Sequence, residues 1–102
     1  MDKKELLHKT ALKYRNDMVK FASDLVKIPS FSCKEGPLVE RIKKEMIKVG
    51  FDKVKIDAMG NIIGFLGKGK KKIMMDAHID TVGIGDPKAW KINPFAGLVK
   101  NG

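Results

Sequence analysis

The sequence has no apolar run that approaches the roughly 18 to 20 residues needed to cross a bilayer, which argues against a membrane span. Its opening, MDKKELLHKTALKYRNDMVK, is charged throughout and lacks the uninterrupted apolar stretch of a secretion signal. One cysteine, Cys33, leaves no partner for an internal disulfide. Together these features point to a reducing cytoplasm. Arginine and aromatic rings are scarce as well. Of 21 basic residues only Arg15 and Arg41 are arginines, and there is one Trp and one Tyr. A formal net charge of +9 raises nucleic acid as a partner. Base readout, however, leans on arginine and stacking leans on aromatic rings. A lysine-coated surface that confers solubility is the better reading, and neither nucleic acid nor membrane is the expected partner.

What remains is a chain of 102 residues, enough for one domain with a modest core. Leu7, Ala11, Tyr14, Met18, Phe21 and Leu25 recur at steps of three and four, which predicts one amphipathic helix ending near Ile28, before Pro29. Ser32 and Glu35 are spaced like a capping box and Pro37 suits a first helical turn, so a second helix is expected to start between Ser32 and Pro37. Its inner face would be Leu38, Ile42, Met46 and Val49, with Gly50 as a left-handed cap. The period then changes to two. Val54 and Ile56 mark a strand, MGN a turn, IIGFLG a second strand, KGKK a lysine-rich turn and KIMMDAHI a third strand, buried on both faces. A last strand is expected over Gly97 to Lys100. It runs into Asn-Gly, a strong hairpin-turn signal with nothing after it to pair. The expectation is an α/β chain that is the front piece of a longer protein, or of one whose reading frame was interrupted.

The stretch MMDAHIDTV, residues 74 to 82, carries the chemistry. Residues two apart on a strand share a face, so Asp76, His78 and Asp80 would line one side where the strand leaves the core. Strand ends of α/β sheets are where sites are built. Neutral imidazole is a preferred zinc ligand, and a neighbouring carboxylate fixes its tautomer and raises its basicity. His78 as ligand and Asp80 as its orienting or catalytic partner is the sharper reading; a polar strand end that meets water is the plainer one. One histidine does not complete a zinc site, which takes three or four protein ligands. His8 falls on the polar side of the first helix. Cys33 lies near a helix start, but no second histidine is placed to activate it. GFLGKGKK, from Gly64 to Lys71, matches a phosphate loop until Lys71 stands where Ser or Thr would bind magnesium. An apolar strand, not a helix, is expected after it, so its glycines suit a hairpin turn.

With these residues in view, the chain resembles the zinc-dependent amidohydrolase and peptidase family that includes acetylornithine deacetylase, succinyl-diaminopimelate desuccinylase, aminoacylase and glutamate-type carboxypeptidases. LVKIPSFSCKEG is similar to that family's first helix end and loop, GFDKVKIDAMGNIIGFLG to its strand, turn and strand, and MMDAHIDTV to its H-x-D signature. WKINPF is similar to the segment that follows, with Asn93 where an acid often stands. DAHIDTVGIGD is similar to a branch described as selenium-metabolism-linked hydrolases. The resemblance implies a mixed-sheet catalytic domain with flanking helices, of which residues 1–102 would be the N-terminal portion, without the lid or dimerisation domain. It implies His78 as the first metal ligand and Asp80 as the acid that helps set up the metal site; it assigns no role to Asp76. It implies two zinc or cobalt ions, a small peptide or N-acyl amino acid as substrate, and a homodimer. The family's bridging aspartate, in a G-R-G-x-x-D-M-K stretch, its general-base glutamate and its later ligands have no counterpart in these residues, so catalysis by this chain alone is not expected. The competing class is a small basic module that holds an acidic partner or nucleic acid through its lysines.

Overall fold

Pro37 and Gly50 bracket the best-packed helix of the protein. The computed structural model describes residues 1–102, with helices α1 (Lys3–Lys13), α2 (Arg15–Val26) and α3 (Gly36–Lys48), strands β1 (Lys53–Ile56) and β2 (Ile62–Phe65), and one 3-10 turn at Pro87–Ala89. These fall into two compact units, one made by Ile28–Gly85 and one by Met1–Lys27 with Asp86–Gly102.

In the unit Ile28–Gly85, α3 starts at Gly36 with Pro37 in its first turn, where a missing N–H leaves no bond unmade. The expected capping box does not form. Cys33 takes a left-handed backbone (φ 67°), Lys34 N–H closes a turn onto Phe31 carbonyl at 2.8 Å, and Glu35 accepts from Cys33 N–H instead. The helix ends as its sequence predicts. Gly50 (φ 90°) donates to Ile47 carbonyl and Phe51 N–H reaches Met46 carbonyl, the two bonds of a Schellman cap. The covered face of α3 includes three of the four expected residues, Leu38 at 5% exposed and Ile42 and Met46 half-buried, and adds Val39, also 5% exposed; Val49, in the cap position, is exposed.

Strands β1 and β2 pair antiparallel, Lys53 opposite Phe65 and Ile56 opposite Ile62. The turn between them is tied by Asp57, whose Oδ1 accepts from Met59 and Asn61 N–H groups and whose Oδ2 accepts from the Asn61 side chain. Gly60 supplies the left-handed residue there (φ 87°). Beneath α3, Gly64 leaves room for Phe51 and Met46: a Cβ at this position would stand 2.6 Å from the Phe51 ring and 2.9 Å from Met46 Sδ.

The third strand expected over KIMMDAHI is not formed. Ile73, Met74 and Met75 are 89%, 91% and 90% exposed, because no strand of this unit runs beside them to take up their backbone groups or cover their side chains. The hairpin turn expected at KGKK is absent for the same reason; Gly67 instead donates its N–H to Asp52 Oδ2. No helix follows the phosphate-loop-like stretch either. The one long-range pairing in this part is an isolated parallel bridge, Phe31 with Thr81.

In the unit made by Met1–Lys27 and Asp86–Gly102, the single expected helix is broken at Tyr14. Its N–H bonds to Ala11 carbonyl at 3.0 Å, a tightened turn, and Met18 N–H resumes from Tyr14 carbonyl. No proline or glycine marks this break, and nothing in the structure explains it. Leu7, Tyr14 and Met18 are exposed, while Phe21 and Leu25 are half-buried. The strand expected over Gly97 to Lys100 is absent: Gly97 is left-handed (φ 62°) and its carbonyl accepts from Ser23 Oγ of α2, which takes it out of a ladder. Asn101 and Gly102 do adopt the positive φ that a type I′ turn requires. No helix of the chain is long and apolar enough to cross a membrane.

Candidate functional site

Residues 76–80 carry no regular backbone ladder, so the candidate site is assembled by side chains and by the bridge at Thr81. Thr81 N–H donates to the carbonyl of Ser30 at 2.8 Å, and Thr81 Oγ1 reaches the same oxygen at 3.5 Å. Ser30 is buried. This clip brings the loop after α2 alongside the segment that holds His78 and Asp80, two stretches that are 48 residues apart where Ser32 meets Asp80.

His78 and Asp80 are brought together as expected. His78 Nδ1 lies 3.1 Å from Asp80 Oδ1 and 3.0 Å from the Asp80 backbone carbonyl. Both neighbours of Nδ1 are acceptors, so the neutral ring carries its proton there, and Nε2 keeps its lone pair. The His78 side chain is 85% exposed, with Asp80 less so. The other Asp80 oxygen, Oδ2, accepts from Ser32 Oγ at 2.9 Å. The Ser32 hydroxyl, followed by the imidazole partner, holds the Asp80 carboxyl below the usual carboxylate range, against a smaller opposing effect of desolvation. Asp80 is therefore ionised at neutral pH and is an acceptor to both groups.

Asp76 does not join them. It is exposed, and the hydrogen bonds of the pair run through Ser32 and the Asp80 carbonyl rather than through a second acid. Cys33 is a free, exposed thiol, and His8 is exposed on α1. No group of three or more His, Cys, Asp or Glu side chains converges to hold a metal ion. The pair thus fits one corner of a metal centre, a single imidazole donor and the carboxylate behind it. Ser32 is the member that sequence reasoning missed. Its spacing from Glu35 points to a helix cap, and only the bridge between Phe31 and Thr81 reveals its place; no spacing signal could have found it.

Over 94 residues, 92% of this chain, it is 53% identical to a protein of Escherichia coli (strain K12) named Uncharacterized protein YgeY. Over 90 residues, 84% of this chain, it is 33% identical to succinyl-diaminopimelate desuccinylase of Cereibacter sphaeroides (strain ATCC 17029 / ATH 2.4.9). The enzyme of the same name from Buchnera aphidicola subsp. Acyrthosiphon pisum (strain Tuc7) is 32% identical over 87 residues. The chain spans 23% to 24% of the length of these relatives. No protein-family model matches the chain, and no solved structure matches it significantly.

Proposed function

We propose that these residues are part of the catalytic domain of a metal-dependent hydrolase that cleaves a C–N amide bond, in a peptide or an N-acyl amino acid, with His78 as a metal ligand and Asp80 as its orienting acid. The observation that carries this reading is the His78–Asp80 pair, in which a carboxylate on Nδ1 leaves Nε2 as the open donor. That is the arrangement in which protein imidazoles meet metal ions. The likeness to enzymes named succinyl-diaminopimelate desuccinylase supports the reaction class. The apolar residues left uncovered at 73–75 support the reading that more of the same domain packs here in the whole protein.

A zinc or cobalt ion supplies Lewis-acid chemistry when bound, lowering the pKa of water toward about 7 and polarising an amide carbonyl. The residues of this chain do the preparatory work. Asp80 holds the proton at His78 Nδ1, fixes the ring plane and makes Nε2 a stronger donor. The remaining ligands, the general base and the groups that choose the substrate would come from the rest of the protein.

The test follows the reading frame past the codon for Gly102, expresses the continuous product with zinc or cobalt, and measures amine released from N-succinyl amino acids, N-acetyl amino acids and dipeptides. The expected result is metal-dependent release that His78→Ala abolishes and that Asp80→Asn lowers about 10- to 100-fold. A stop codon directly after Gly102, or a continuous product whose His78→Ala variant turns over normally, contradicts the reading.

A further inference from the structure

The Asp80 carboxylate is held from two sides, Oδ1 by His78 and Oδ2 by Ser32. A carboxylate with one partner turns about its terminal bond at little cost, because that torsion is broad. A donor on the opposite oxygen removes this freedom, and a hydrogen bond to an ionised acceptor is among the stronger ones. The donor is itself anchored. Before it, Ser30 is 2% exposed and its carbonyl is bonded to Thr81, while Phe31 bridges Thr81. After it, Cys33 is left-handed and Lys34 closes a turn back onto Phe31. Ser32 therefore sits between a buried clip and a closed turn, and neither can shift without breaking backbone hydrogen bonds.

We infer that Ser32 is a positioning residue whose hydroxyl holds Asp80 in the rotation that keeps the proton on His78 Nδ1, so that Nε2 faces outward as the free donor. This rests on the proposed roles of His78 and Asp80, and Ser32 acts through Asp80 without touching metal or substrate. Because the Asp80 backbone carbonyl also faces Nδ1, loss of the hydroxyl weakens the preference rather than erasing it.

The test reads the tautomer of each imidazole from two-bond proton–nitrogen correlations of the nitrogen-15-labelled 102-residue chain, with His8, exposed on α1, as internal reference. In the native chain, neutral His78 should carry its proton on Nδ1 in a larger share than His8 does. Ser32→Ala should move His78 toward the His8 ratio, and Ser32→Thr, which restores a hydroxyl, should return the native ratio. Amide resonances of Gly50 and Gly60 report that α3 and the β1–β2 turn persist. A native ratio in Ser32→Ala, with a shifted one in Asp80→Ala, overturns the role of Ser32 and leaves the pair standing. A native ratio in both variants overturns the pairing too. Loss of the Gly50 and Gly60 resonances in Ser32→Ala also overturns the inference, since the hydroxyl would then serve the fold.

Discussion

The β1–β2 hairpin under α3 and the segment from Lys72 to Ile79 have similar apolar content but opposite fates. In the hairpin, partners lie within a few tens of residues: Phe51 closes the cap of α3 and lies with Met46 over Gly64, and β1 finds β2 across one tight turn. The segment KIMMDAHI reads as the more strongly buried strand, yet Ile73, Met74 and Met75 stand open to solvent. A hairpin carries its neighbour in its own turn; a doubly covered strand needs neighbours from distant sequence. The candidate site lies at the end of the uncovered segment, so the Ser32–Asp80–His78 chain and the Thr81 clip, rather than a ladder, give it its geometry.

The largest expected effect breaks the packed side of this contrast. Gly64→Val places a side chain into the Phe51 ring and Met46 Sδ, and overpacking of this kind costs about 1–3 kcal/mol; the urea midpoint of the chain should fall accordingly. A smaller effect comes from the Asp57 turn. Hydrogen bonds from Asn61, side chain first, hold the Asp57 carboxyl below its usual range. A depressed folded-state pKa stabilises the turn fully above the unfolded value near ~3.9 and loses that stabilisation as pH falls through the folded value. Amide protection at Met59 and Asn61 should therefore persist through pH ~4 and decline only in stronger acid, while Asp57→Ala removes it at neutral pH. The smallest effect sharpens the other side: Met74→Lys and Met75→Lys should change the stability of this chain by no more than about 0.5 kcal/mol. A larger loss in the same urea titration would mean that the segment is covered in solution.

Much of this was legible residue by residue. Gly50 after a helical stripe, Pro37 in a first turn and alternation from Val54 to Ile56 are local signals, and the structure follows them because their partners are local. The pairing of His78 with Asp80 was legible for the same reason, since only Ile79 stands between them. The capping role read for Ser32 gave way to a contact across 48 residues, and the strands read at 72–79 and 97–100 gave way to exposed chain and to the Ser23–Gly97 bond. For Ser32 and Gly97 the competing partner was distant in sequence, and for 72–79 no neighbouring strand was there to pair. The break at Tyr14 had no signal of either kind.

The most direct test of the central claim, that Asp80 presents His78 Nε2 as a metal donor, is a zinc titration of the labelled chain followed on the ring nitrogens of both histidines. The account predicts that His78 Nε2 shifts at lower zinc concentration than either nitrogen of His8, and that Asp80→Ala, which keeps the backbone carbonyl on Nδ1, narrows the difference. Equal zinc dependence at His78 and His8, or a shift of His8 at the lower concentration, would contradict it.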